Sequence, residues 1–96
     1  MDSSYIVITA TEAETTSVAF DLSGEAKIIS YGLVEDETVT LLEEEPGGTY
    51  VPAINLRGLK VQLSASQFSQ IIVGYGSYKL EKTVTAAEVA AAVITA

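Results

Sequence analysis

Apolar and polar residues alternate along this chain in short runs, and Gly, Pro and acidic clusters separate the runs. Threonine, valine and isoleucine dominate them. β-Branched residues at a period of two mark half-buried strands, because successive side chains of a strand point to opposite faces. Tyr5-Ile6-Val7-Ile8-Thr9 reads as a first strand. Over residues 16–22, Val18, Phe20 and Leu22 fall on one face, and Ser17, Ala19 and Asp21 on the other. Ser23-Gly24-Glu25 is expected to be a turn, since Gly supplies the positive φ of a tight reversal. Residues 26–31 then return as the partner strand of a hairpin.

Gly32 ends that strand, and Glu35-Asp36-Glu37 reads as a polar turn. Thr38-Val39-Thr40-Leu41-Leu42 is a strong strand, broken by Glu43-Glu44-Glu45-Pro46-Gly47-Gly48. Pro46 has no N–H for a ladder and the two glycines permit a reversal, so Thr49-Tyr50-Val51 comes back as a hairpin with a long tip. Residues 52–58 read as a loop. Leu59-Lys60-Val61-Gln62-Leu63 alternates again, and Gln70-Ile71-Ile72-Val73 is another strand. Gly74-Tyr75-Gly76-Ser77 is expected to be a turn, followed by a strand over Tyr78-Lys79-Leu80-Glu81-Lys82.

The end of the chain admits two readings. Thr85-Ala86-Ala87-Glu88 has capping-box spacing, and alanine is the best helix former. Against that, Val89, Ala91, Val93 and Thr95 alternate with Ala90, Ala92 and Ile94, and a short isolated helix is marginal in water. The strand is the preferred reading. The expected fold is therefore all-β, a small antiparallel β-sandwich or barrel of about eight short strands. Residues 1–96 fit one domain, with residues 1–9 as an extended N-terminal arm or an edge strand.

Composition bears on how such a domain is stabilised. Apolar residues make up 48% of the chain, but many are Ala and Val, which add little volume each. A domain this small buries only about 60% of its unfolded surface. There is no cysteine to form a disulfide and no histidine to join a zinc site. Good packing or association with a partner must supply the rest.

The chain carries 13 acidic residues against 5 basic ones, a net charge of −8. Such a surface repels phosphate backbones and anionic headgroups, so neither nucleic acid nor a membrane is an expected partner. No run approaches the roughly 20 apolar residues of a membrane helix. Met1-Asp2-Ser3-Ser4 lacks the basic start of a signal peptide, so synthesis in the cytoplasm is expected.

Catalytic chemistry is sparse. Without His and Cys the commonest general bases and thiol nucleophiles are missing, and no serine occupies a G-x-S-x-G motif. Gly74-Tyr75-Gly76 lacks the third glycine and the helix of a dinucleotide loop. Glu43-Glu44-Glu45, with Glu35 or Asp36, lacks the spacing that wraps a calcium ion. A sugar-cleaving carboxylate pair would lack a Trp for stacking. The expectation is a protein that is not an enzyme and binds no cofactor or metal.

The candidate functional residues are those suited to an interface. Tyr5 and Ile6 lie in the N-terminal segment, which can lie along a neighbour as an extra strand. Glu43, Glu44 and Glu45 form either a solvated hairpin tip or a docking patch for a basic surface. Tyr50 and Tyr75 flank glycine turns and are expected to be the more exposed, whereas Tyr31 and Tyr78 read as core-edge residues; for each of them local packing is the plainer alternative to an interface role. Arg57, in Asn55-Leu56-Arg57-Gly58-Leu59, can grip a carboxylate in bidentate fashion within or between molecules.

From Thr38 onwards the order of features resembles small virion proteins of tailed bacteriophages. The features are the return Gly47-Gly48-Thr49-Tyr50-Val51, the segment Leu63-Ser64-Ala65, the stretch Gly74-Tyr75-Gly76-Ser77-Tyr78-Lys79, and an Ala/Val-rich end. Tyr75 stands where such proteins often have proline. The resemblance implies a capsid decoration or cement protein on the virion exterior. It would act as a homo-oligomer, such as a trimer, bound to the major capsid protein. A head or tail fibre component, or a soluble adhesion or carbohydrate-binding module, is the alternative.

Overall fold

The computed structural model describes the backbone of residues 3–95 and the side chains from Ile6 to Thr95. The described residues form eight strands and no helix. They are β1 (Ser3–Thr11), β2 (Thr15–Thr16), β3 (Phe20–Ile29), β4 (Val39–Glu44), β5 (Tyr50–Pro52), β6 (Gln62–Leu63), β7 (Ser69–Lys82) and β8 (Val89–Thr95). All pair antiparallel in one sheet of order β1-β8-β3-β7-β4-β5, with β2 added to β7 and β6 to β4. The all-β, antiparallel expectation holds.

The sheet wraps one core. Ile8 from β1 and Val89, Ala91 and Val93 from β8 join Val39 and Leu41 from β4 and Leu63 from β6 in a single buried cluster. The two arms of the sheet thus face each other as in a sandwich, joined through the long β3 and β7. The chain end is the strand its alternation suggested: Val89, Ala91 and Val93 are buried, and Ala90, Ala92 and Ile94 are half-buried. The small side chains of β8 suit a central strand with β1 on one side and β3 on the other.

Two expected turns are not turns. β3 runs through Ser23-Gly24-Glu25, and β7 runs 14 residues through Gly74-Tyr75-Gly76-Ser77. The pairing is unbroken from Phe20↔Tyr78 to Ile29↔Ser69, with Gly24 opposite Gly74 and Leu22 opposite Gly76. Gly24 and Gly76 have φ of 149° and 122°, values suited to glycine within a strand that bends. Gly24 and Gly76 supply a positive φ within continuous strands, and Gly74 makes room for the Tyr78 ring; none of the three reverses the chain. The strands are accordingly fewer and longer in this region than the sequence pattern indicates.

Val18 is a third correction. It is 76% exposed, whereas Phe20 and Leu22 are buried. From Thr16↔Glu81 to Phe20↔Tyr78 the β2–β3 side advances four residues while β7 advances three, so an extra residue is inserted. A bulge of this kind reverses the face of the residues before it. Ser17 holds it: its N–H donates to Leu80 O at 2.8 Å, and its Oγ accepts from Leu80 N–H at 3.0 Å.

The acidic hairpin forms as expected, but β4 continues through Glu43 and Glu44, which pair with Val51 and Tyr50, so the reversal is confined to residues 45–49. β4 and β5 are joined by a turn in which Glu45 N–H donates to Thr49 O and Gly48 N–H donates to Glu45 O. Of the N-terminal segment, residues 3–9 belong to an edge strand, β1, paired with β8 through two register shifts, and residues 1 and 2 lie outside the described residues.

Candidate functional site

The interface residues expected from sequence are spread over the molecule. Ile6 is exposed on β1, at one end of the strand path. Tyr5 is opposite Val93 in the same ladder, and its side chain lies outside the described residues. Glu43, Glu44 and Glu45 are exposed on and beyond the end of β4. Arg57 is exposed in the 53–61 loop, whose tip is organised by Asn55: its Oδ1 accepts from Arg57 N–H at 2.8 Å and Leu59 N–H at 3.1 Å. Tyr75 is 75% exposed on the outer face of β7.

Tyr50 is packed locally rather than exposed beside its glycine turn. Its hydroxyl shares a 2.6 Å hydrogen bond with Ser77 Oγ, and Lys79 Nζ lies 4.3 Å from the ring centroid. It is half-buried and fastens β5 to the outer face of β7. Tyr31 departs from expectation the other way: it is 67% exposed, packed against Phe68 with ring centroids 5.1 Å apart. Tyr78 is buried as expected.

The structure adds a feature that the sequence reading missed. β4 pairs with β7 only from Val39↔Lys82 to Glu43↔Tyr78. The first half of β7 is covered by β3 on one side alone. Backbone polar groups of alternate residues in a strand face opposite edges. Leu80 bonds Ser17 on the β2–β3 side, and Thr83 N–H donates to Thr38 O on the β4 side. Even-numbered residues of β7 therefore face β3, and Ile71, Val73 and Tyr75 direct their N–H and C=O groups to the open side. The Tyr75 N–H is taken by Tyr78 Oη at 3.2 Å.

Beside this open edge lies a groove of about 480 Å³. Leu41, Val61, Ile72 and Tyr78 belong to its buried lining; Ile54 and Leu56 from the loop and Ile71 and Val73 from β7 are its exposed apolar members. Glu43 is the charged residue in the lining. An edge strand with unpaired backbone groups beside an apolar trough is a template for another strand. Of the residues expected from sequence, Glu43 alone lines this groove. Ile54 and Leu56, apolar residues in an expected loop, were the one local sign of it.

No family model matches the chain, and no curated protein matches it. Among solved structures, the crystal structure of SPBc2 prophage-derived protein YomS is similar in fold. The TM-score is 0.70 at 12% sequence identity, over 99% of this chain and 92% of that one. At such identity the likeness is one of fold.

A polar cluster at the far end of β7 is structural. Lys82 is fully buried, and its Nζ donates to Thr83 O at 2.9 Å and Thr85 Oγ1 at 3.0 Å. Burial pushes the Lys82 ammonium below its usual pKa, a shift that Glu37 and Glu12 partly oppose. The Glu37 carboxylate accepts from Val34 N–H at 2.9 Å and Ala86 N–H at 2.8 Å. Those two backbone donors hold its pKa below the ordinary carboxylate value, with a smaller contribution from Lys82. Among the described residues no group of three or more Asp and Glu side chains is placed to hold a metal ion.

Proposed function

We propose that this chain is a non-enzymatic structural protein of a phage virion, a decoration or cement protein that binds and stabilises the outer head surface as an oligomer. The observation that carries the reading is the near full-length likeness in fold to a prophage-derived protein. The order of motifs from Thr38 onwards points the same way. So does a small core, which gains from association with a larger body. The open edge of β7 supplies a physical means of attachment. The net charge of −8 favours a basic partner surface and makes docking sensitive to salt.

The test is to induce the phage that encodes the chain, purify virions and label them with antibody against it. The expected result is label on the head exterior, and heads lacking the protein that release DNA at a lower temperature. Virions without the protein would contradict the reading. So would turnover of a substrate that is lost on changing one carboxylate.

A further inference from the structure

We infer that the open edge of β7 and its groove receive an extended segment of a partner protein, as an added β-strand with alternating apolar side chains and a Lys or Arg that meets Glu43. The inference rests on the structural-protein reading above and names the chemistry of what the protein grips.

Other uncovered edges suit a partner strand less well: the stretch of β3 before Ala26, unpaired on the β8 side, has Asp21, Ser23 and Glu25 as its exposed residues. The outer edge of β1 is disrupted by two register shifts, and β5 is short and ends in Pro52. Bulges and proline are the usual means of blunting an edge against stray pairing. The first half of β7 has neither: its register against β3 is continuous from Ser69 to Tyr78. From Ile71 to Tyr75 the edge spans roughly 13 Å, at about 3.3 Å per residue. A strand laid there bonds the N–H and C=O groups of Ile71 and Val73, and every second side chain points into the trough between Ile72 and the 53–61 loop. Backbone bonds give such complexes their affinity, and the pockets for alternate side chains give specificity.

Charge selects the occupant. Glu43 is the charged group of the lining, and Glu44 and Glu45 follow it on the same arm. A second copy of this chain is a poor match. Its own edge strand β1 lies in a stretch, residues 1–26, that contains acids and no base to meet Glu43. A basic segment from a different protein satisfies both the apolar trough and Glu43.

The test uses the intact protein and a short synthetic peptide that alternates valine and threonine and carries one lysine. Matched peptides carry glutamate in its place, or proline at alternate positions. Val73→Pro removes an N–H that faces the open side, where proline is tolerated; its circular dichroism and melting curve check that it folds. Glu43→Lys leaves the edge intact and reverses the local charge. The lysine peptide is expected to bind, and the proline peptide to fail. Val73→Pro should weaken binding about tenfold or more, and Glu43→Lys should switch the preference to the glutamate peptide. Absence of lysine-peptide binding overturns the inference, as does a folded Val73→Pro protein that binds as tightly as the parent. Dimerisation of the parent that Val73→Pro abolishes would assign the edge to a second copy instead. A protein found on virions that ignores the peptide defeats the groove assignment and leaves the virion reading standing. A protein absent from virions that binds the peptide does the reverse.

Discussion

The Tyr78 ring lies directly against the backbone of Gly74, four positions earlier on the same strand. A Cβ on Gly74 would stand 2.6 Å from Tyr78 Oη and 2.8 Å from Cζ. The same hydroxyl accepts the Tyr75 N–H, and the ring stacks on Phe20 with centroids 6.4 Å apart. Tyr78 also marks where β4 stops covering β7. One side chain thus closes the core and leaves the edge beyond it open.

Gly74→Ala is therefore expected to destabilise the fold by about 1–3 kcal/mol, the usual cost of forcing extra volume into packed structure. Urea unfolding should show a lower midpoint with an unchanged slope. The cause is crowding by the Tyr78 ring, so unaltered stability would mean that the ring is not held there.

Ser17→Ala removes the acceptor of the buried Leu80 N–H and the donor to Val18 O. Leaving a buried donor unsatisfied costs about 1–3 kcal/mol, and the same unfolding measurement should report it. A neutral effect would mean that the bulge holds without this side chain.

All-β character, the acidic hairpin and the final strand were legible in the sequence, because each depends on local alternation or turn chemistry. Gly24, Gly74 and Gly76 misled because glycines within long strands, present for a positive φ or for the close approach of a ring, are the residue that also makes turns. Their pairing joins residues far apart in sequence. Val18 misled because one residue inserted between Ser17 and Phe20 reverses the phase of an otherwise regular alternation. Of the interface residues, Glu43 alone lines the groove, and it does so from within β4 rather than from the hairpin tip. The open edge itself is set by where β4 ends against β7, a relation that no single segment of the sequence carries.

Stability should depend on acid through Glu37. Its folded pKa lies below the ordinary value of 4.5, so the carboxylate contributes stability above that value and loses it as pH falls through the lower folded pKa. Melting temperature is expected to drop in that range, and Glu37→Gln should flatten the drop. An equal drop in the variant would assign the effect to other carboxylates.

Lys82 should act at the alkaline end. Its folded pKa is lowered from 10.5, so the unfolded chain binds more protons between the two values, and stability rises with pH across that window. Lys82→Met removes the buried charge while keeping its stem, and it also takes the donor from Thr83 O and Thr85 Oγ1 and the nearby cation from Glu37. The variant is expected to lose the alkaline rise in melting temperature and to be less stable at neutral pH by about 1–3 kcal/mol.

Amide hydrogen exchange, read residue by residue on the protein free and bound to virions, bears most directly on attachment through an unpaired strand edge. In the free protein Ile71 and Val73 should exchange fast while Ile72 and Leu80 are protected, and on virions Ile71 and Val73 should become protected too. Fast exchange at both positions in the bound state, or full protection in the free state, would contradict the account.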